Sequence, residues 1–186
     1  MNPSNVVPRT ERFEGRIPYM YRCTGGEVTI GVGHAILKPN DAPELTWSIG
    51  GRPATLDEIL ADYASVNAAE KGHEAPTYEH LTQCRMANAD IDALLTADVA
   101  RFETQLAAEL PNWNSYPEPA QEALFDMAFN LGLAGLKKFP SMLAAVDAGQ
   151  WDLAASECHR KGINEDRNQQ TAALFRQAAQ LRQSAG

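Results

Sequence analysis

The segment RFEGRIPYMYRCTGGEVTIGVGH, residues 12–34, predicts the end of a helix followed by a small β-meander. Residues 4–14 can form one short helix, which Gly15 and Pro18 interrupt. The meander is expected over residues 17–33, with a turn at Thr24-Gly25-Gly26. Apolar residues then alternate with small ones, as in a half-buried strand: Val28, Ile30 and Val32 against Thr29, Gly31 and Gly33. The glycines suggest a close approach of another part of the chain.

Three residues of this segment can carry chemistry, in the spacing E-x8-C-x5-T: Glu14, Cys23 and Thr29. A hairpin that folds back on a helix end can bring an acid, a sulfur atom and a hydroxyl around one cleft. The spacing alone indicates a possible acid site and names no reaction. Ordinary structural roles stay open: a helix-end Glu paired with Arg, a small buried Cys and a strand Thr.

The same residues carry a resemblance to a known family. Phe13-Glu14-Gly15, the spacing to Cys23 and Thr29, and the run from Thr29 to His34 resemble the phage-type lysozymes, glycoside hydrolase family 24. Further points of resemblance are Ala97-Asp98-Val99, Asp126-Met127-Ala128-Phe129-Asn130-Leu131-Gly132, Lys138-Phe139, Gly149-Gln150-Trp151-Asp152, Asp166-Arg167-Asn168 and Phe175. The resemblance covers about residues 5–34 and 86–183, and it explains nothing of an insertion at about 36–85.

The resemblance implies an α+β, lysozyme-like fold of two lobes with the active site between them. A small antiparallel sheet lobe and a mainly helical lobe would be joined by a long helix within one domain, residues 1–186. The parts expected are an N-terminal helix and β-lobe at about 4–34, the insertion at about 36–85, the linking helix at about 88–110 and the helical lobe at about 111–184.

The resemblance also implies an activity. Family members cleave the β-1,4 bond between N-acetylmuramic acid and N-acetylglucosamine in peptidoglycan, with Glu14 as general acid and Thr29 holding the attacking water. Cys23 stands where many members have Asp, and a thiol is a weaker base at neutral pH. Cys23 can therefore act as base, position water or only pack.

Other site residues follow from the resemblance alone. Two residues would face the sugar as cleft-wall residues: Phe129 and Asn130. A core role for Phe129 is equally compatible. Three residues would support the site, with Arg167 opposite Glu14 and His34 paired with Asp98. No second His or Cys lies at ligand spacing around His34, so we expect neither a metal nor another cofactor.

The insertion and the second half of the chain have their own patterns. Prolines and Gly50-Gly51 favour an irregular connection over residues 35–54, and Thr55-Leu56-Asp57-Glu58 has the form of a capping box that starts a helix ending near Gly72. Apolar residues at helical spacing predict a long helix over about 88–110. Further helices are expected at about 117–131, 141–148, 151–161 and 168–183, as a bundle with short links in which Trp113 and Trp151 are core residues.

Composition limits the classes of function. Sixteen Lys and Arg against twenty-four Asp and Glu give a net charge of −8, which disfavours binding to nucleic acid or an anionic membrane. No apolar run approaches the roughly 20 residues of a transmembrane helix. Met1–Arg9 lacks the features of a secretory signal, and three cysteines are too few for a disulfide scaffold, so at least one is expected to be a free thiol.

These features leave several biological settings open. An enzyme made in the cytoplasm without a signal peptide and acting on the cell wall in the periplasm can be a phage endolysin or an antibacterial toxin injected by a type VI secretion system. The acidic net charge slightly favours the injected effector, because an enzyme acting freely on an anionic wall often gains from positive charge. Its partners would be peptidoglycan strands and an immunity protein or secretion-system carrier, and a monomer is expected. The alternative is a non-catalytic module that retains the lysozyme fold and has a peptidoglycan-binding or regulatory role.

Overall fold

The computed structural model describes residues 1–184, which form seven α-helices and five short strands. The helices are α1 (Pro3–Glu14), α2 (Leu56–Ala68), α3 (Asn88–Glu109), α4 (Glu118–Leu136), α5 (Pro140–Asp147), α6 (Trp151–Glu157) and α7 (Glu165–Ser184). The strands are β1 (Ile17–Arg22), β2 (Val28–Gly31), β3 (His34–Ile36), β4 (Ser48–Ile49) and β5 (Arg52–Pro53). Three 3₁₀ helices lie at Pro39–Glu44, Ala75–Leu81 and Trp113–Ser115. This mixture of helices and small antiparallel sheets confirms the α+β class.

The chain divides into two compact units, and the divisions fall inside α1 and α3. The sheet unit comprises residues 9–98, and the helical unit comprises residues 1–8 together with the chain from residue 99 onward. The predicted linking helix, α3, thus contributes its first half to the sheet unit and its second half to the helical unit.

The main sheet has the order β1-β2-β3, with all pairs antiparallel. The expectation that β2 is half-buried is wrong, because all four of its residues are buried. Helix α2 packs on β1 and β2, and a Cβ atom on Gly31 would lie 3.4 Å from Ile91 of α3. The group nearest to that position is thus a side chain of α3 at van der Waals distance. The strand also ends there, since Val32-Gly33 forms the turn into β3.

The insertion is more regular than predicted. Strands β4 and β5 form a hairpin around Gly50-Gly51, whose φ angles of 58° and 84° are those that a two-residue hairpin turn requires. Ser48 and Arg85 exchange backbone hydrogen bonds of 2.9 and 2.8 Å, which close the insertion. The proline and glycine content predicted an irregular segment. A hairpin with two-residue strands consists mostly of its turn, so its composition is that of a loop.

Helix α2 begins as the sequence predicted but ends earlier. Thr55 and Glu58 form the capping box: the Thr55 amide donates to Glu58 Oε2 at 2.8 Å, and the Glu58 amide donates to Thr55 Oγ1 at 3.4 Å. The helix ends at Ala68 rather than near Gly72. A buried carboxylate joins α2 to the end of the insertion, because Asp62 Oδ2 accepts from the amides of Gln83 and Cys84 at 2.8 and 2.7 Å.

The helical unit packs its helices around buried Trp113 and Trp151, as predicted. Its boundaries differ by a few residues from those expected: α4 continues to Leu136 across a break at Gly132, where φ is 69° and ψ is 166°. Helix α6 ends at Glu157, and α7 begins at Glu165. Among residues 1–184, no helix combines the length and hydrophobicity needed to span a membrane.

Candidate active site

Glu14 is the last residue of α1, at the point where the chain turns into the sheet unit. Gly15 ends the helix with a left-handed φ of 75°, and its amide donates to the Glu11 carbonyl at 2.9 Å. The Glu14 side chain is half-buried. Its position follows directly from the glycine that stops the helix.

Arg16 fixes this helix end to α3. Its guanidinium contacts Glu11 Oε1 at 2.7 Å through Nε and Asp92 Oδ1 at 2.5 Å through Nη2. The hydrogen bond from Arg16 lowers the pKa of Glu11, so both partners are charged at neutral pH. The turn that carries Glu14 is thereby anchored within the sheet unit.

Cys23 follows β1 and begins the loop of residues 23–27. Its amide donates to the Glu27 carbonyl at 3.0 Å, and its Sγ donates to Glu27 Oε2 at 3.1 Å. The thiol is free and half-buried. Cys84 and Cys158 are also free thiols, and both are buried. Cys23 is therefore the accessible thiol of the three, and its partner is a carboxylate.

Thr29 lies on β2 and is 3% exposed. Its hydroxyl donates to the Glu27 carbonyl at 3.2 Å. Because a hydroxyl has one proton and two lone pairs, Thr29 Oγ1 can still accept a hydrogen bond from water. Thr29 and Cys23 are thus both hydrogen-bonded to Glu27.

Tyr21 interacts electrostatically with both Glu14 and Cys23, although nothing in the sequence singled it out. Burial raises the pKa of Tyr21, and electrostatic interactions with Glu14 and Cys23 raise it further. Its phenol is therefore protonated at neutral pH and lies near both side chains. A Tyr within a strand gives no sequence signal of such a role, because Glu14 belongs to α1 and Cys23 to the loop after β1.

His34 and Asp98 are paired within the sheet unit. His34 Nδ1, on β3, lies 2.8 Å from Asp98 Oδ2, on α3, and Asp98 is 3% exposed. The pairing placed there by resemblance is thus present in the structure. It joins the last strand of the sheet to the long helix.

We expect Asp98→Asn to lower the melting temperature by several degrees, because a hydrogen bond to a charged group contributes about 1.5–3 kcal/mol and the pair is largely buried. Thermal unfolding followed by circular dichroism measures this loss. Asp57→Asn, a change at an exposed position of the same unit, is the control and should shift the melting temperature much less. Equal shifts for the two variants would contradict a stabilising role for the pair.

The helical unit contains a buried cluster of charged groups around Asp126. Asp126 Oδ2 accepts from Arg160 Nη2 and from Thr171 Oγ1, both at 2.8 Å, and Asp126 Oδ1 accepts from Arg167 Nε at 2.9 Å. Arg160 Nη1 also donates to Asn130 Oδ1 at 3.2 Å. Arg167 is thus held by Asp126, and Asn130 is held by Arg160. Nothing in the sequence singled out Arg160, which lies after α6 in a loop where the sequence pattern predicted a helix.

Phe129 is half-buried and packs within an aromatic cluster of the helical unit. Its ring centroid lies 5.2 Å from that of Phe102 and 5.5 Å from that of Phe125. The neighbouring Asn130 is half-buried and fixed by Arg160. One side of Phe129 therefore contributes to the core, while part of its surface stays accessible.

The titratable groups of residues 1–184 form no cluster of three or more His, Cys, Asp or Glu suited to a metal ion. The chemistry that these residues offer is acid–base chemistry: a half-buried carboxyl at a helix end, a hydroxyl able to accept from water, and a thiol bonded to a second carboxylate. All three groups, which belong to Glu14, Thr29 and Cys23, lie within the sheet unit.

Comparison with known proteins identifies relatives of the chain. The sequence profile of the phage lysozyme family matches residues 11–180. The pre-baseplate central spike protein Gp5 of enterobacteria phage T4 is 28% identical over 159 residues, which are 82% of this chain and 24% of that protein. The chain therefore spans about a quarter of the length of that relative.

Proposed function

Because the chain belongs to the phage lysozyme family, we propose that it is a muramidase, which hydrolyses the β-1,4 bond between N-acetylmuramic acid and N-acetylglucosamine in peptidoglycan. The observation that supports this function most is the position of Glu14. Its half-buried carboxyl ends a helix beside Tyr21, which also lies near Cys23. A carboxyl at the edge of a cleft can donate a proton to a leaving oxygen.

In the proposed reaction, Glu14 donates its proton to the glycosidic oxygen that leaves. A water molecule bonded to Thr29 Oγ1 attacks the sugar carbon from the opposite face, as in an inverting glycosidase. Phe129 and Asn130 are proposed to contact the sugar, and Arg167 and the His34–Asp98 pair to support the site. Cys23 occupies the position of the second catalytic group.

The test is release of dye-labelled fragments from purified peptidoglycan, combined with mass spectrometry of the products. A muramidase creates new reducing ends on N-acetylmuramic acid. Fragments with a different new end contradict the cleavage position. Binding to peptidoglycan without any release supports the alternative, a non-catalytic module that retains the fold.

For the biological setting, we propose an antibacterial effector injected into rival cells, with the endolysin as alternative. The net charge of −8 supports this choice, because an enzyme acting freely on an anionic wall gains from positive charge. Directing the chain to the periplasm of a bacterial host should then cause lysis that a co-expressed immunity protein from its own gene neighbourhood prevents. Lysis with no such protector, beside a holin gene, would favour the endolysin.

Substitutions of Cys23 test its contribution. If residue 23 itself acts on the attacking water, Cys23→Asp should preserve or raise the rate of peptidoglycan hydrolysis, since a carboxylate is ionised at neutral pH without help. Cys23→Ala should lower the rate, and alkylation of the wild-type thiol should inhibit. Because Cys84 and Cys158 are buried, the Cys23→Ala variant treated with the same reagent is the control for off-site alkylation. If Cys23→Ala is fully active, the thiol contributes only to packing.

A further inference from the structure

Glu27 lies at the centre of the hydrogen bonds that hold the second catalytic position. Its carbonyl oxygen accepts from the Cys23 amide at 3.0 Å and from Thr29 Oγ1 at 3.2 Å. Its carboxylate accepts from Cys23 Sγ at 3.1 Å. Both residues proposed to act on the attacking water are therefore bonded to this one glutamate, whose side chain is exposed to solvent.

Two positively charged side chains, those of Lys71 and Arg22, act on the Glu27 carboxylate. The hydrogen bond from Cys23 lowers the pKa of Glu27, as do a backbone hydrogen bond and the charges of Lys71 and Arg22. Arg22 also donates through Nε to the Gly26 carbonyl at 2.9 Å and through Nη1 to the Ala69 carbonyl. Lys71 and Ala69 follow α2 in the insertion. The insertion thus contacts the loop of residues 23–27 and helps to keep its carboxylate ionised.

The hydrogen bond between Cys23 and Glu27 distinguishes their roles. A thiol that donates to a carboxylate retains its proton, and a neutral thiol cannot take a proton from water. The ionised carboxylate beside it can. In this arrangement the Glu27 carboxylate can act as the base, and the hydrogen bond from Cys23 orients it.

Resting on the proposed muramidase function, we propose that Glu27 is the general base of the reaction and that Cys23 is a positioning residue which holds its carboxylate. A proton of the attacking water passes to Glu27 as the water oxygen bonds to the sugar carbon. The bond from that carbon to the leaving oxygen breaks, and the leaving oxygen keeps the electron pair and takes the proton of Glu14. Glu27 then returns its proton to solvent, and Glu14 regains one.

Gly25 offers a way to move the carboxylate without changing its chemistry. Its φ is not in the left-handed region, so the backbone tolerates a side chain. A Cβ atom there would lie 2.3 Å from Glu27 Oε2 and 3.5 Å from Cys23 Sγ. Gly25→Ala must therefore displace the end of the Glu27 side chain from the position in which it accepts the hydrogen bond of the thiol.

The experiment compares initial rates on purified peptidoglycan for Glu27→Gln, Gly25→Ala and the control Glu44→Gln, an exposed glutamate of the same unit. Glu27→Gln should lower kcat by about a hundredfold or more, with KM and melting temperature unchanged, as loss of a general base predicts. Gly25→Ala should lower kcat in the same way but less. Glu44→Gln should match the wild type.

A pH profile provides a readout that a structural role would not change. A general base must be ionised, so kcat falls as the pH drops through the pKa of Glu27. Lys71→Met removes a positive charge, raises that pKa and should move the acidic limb upward by about a few tenths of a pH unit. An unmoved limb contradicts the assignment.

The outcomes separate this inference from the proposed function. A wild-type chain that releases nothing from peptidoglycan defeats the muramidase proposal itself. An active wild type whose Glu27→Gln variant keeps its kcat defeats only the assignment of Glu27. If Cys23→Ala loses activity while Glu27→Gln does not, the thiol is the base.

Discussion

Replacing Glu14 by Gln should reduce the hydrolysis of purified peptidoglycan by at least about a hundredfold. The amide keeps the shape and most of the hydrogen bonds of the carboxyl but has no proton to give to the leaving oxygen, and general acid catalysis contributes about 10²–10⁴-fold. The loss should appear in kcat rather than in KM, because the proton moves only in the transition state. Dye release at several substrate concentrations measures both.

The interpretation of this result depends on a folded variant. Glu14→Gln should unfold at nearly the temperature of the wild type, and Glu44→Gln, exposed in the same unit, should hydrolyse peptidoglycan normally. A folded Glu14→Gln protein with near wild-type activity would remove Glu14 from the mechanism. The proposed function would then require another acid.

Replacing Asp126 by Ala should produce the largest loss of stability, about 3–5 kcal/mol, because two buried guanidinium groups lose their shared carboxylate. The side chains of Asp126, Arg160 and Arg167 are 6%, 1% and 5% exposed, so little water can replace the carboxylate. For a chain of this length, such a loss lowers the melting temperature by about 10 °C. Denaturant unfolding measures it as a lower midpoint.

Two further variants sharpen this test. Asp152→Ala changes an exposed carboxylate in the same unit and should cost about 1 kcal/mol or less. Combining Asp126→Ala with Arg160→Met removes one of the two buried charges and should restore part of the loss. An unchanged unfolding midpoint for Asp126→Ala alone would mean that the cluster contributes nothing net to stability.

The candidate site was predictable to the extent that its residues lie in one short segment. Glu14, Cys23 and Thr29 were selected by their spacing and by the resemblance, and the structure gathers them in the sheet unit. Glu27 lies inside that segment too, yet nothing in the sequence pointed to the role proposed for it. The hydrogen bond from Cys23 depends on the conformation of the loop of residues 23–27. The charge that lowers the pKa of Glu27 comes in part from Lys71, which is far away in the sequence.

The regular elements of the fold were predicted where local interactions determine them. The capping box at Thr55 and Glu58 starts α2, and Gly15 ends α1, because both signals act through backbone groups within four residues. The hairpin around Gly50-Gly51 was missed. A two-residue strand has too few side chains to show an alternation, and its backbone pairing is completed by Arg85.

The sequence by itself determined the α+β class, the family and the helix end that presents Glu14, since these depend on residue order and on hydrogen bonds between near neighbours. Only the tertiary structure decided which polar groups meet. Asp126 accepts hydrogen bonds from Arg160 and Arg167, which lie 34 and 41 residues further along the chain. All four residues of β2 are buried by other parts of the chain. Burial and pairing between distant segments arise from packing, which leaves no periodic pattern in the residues concerned.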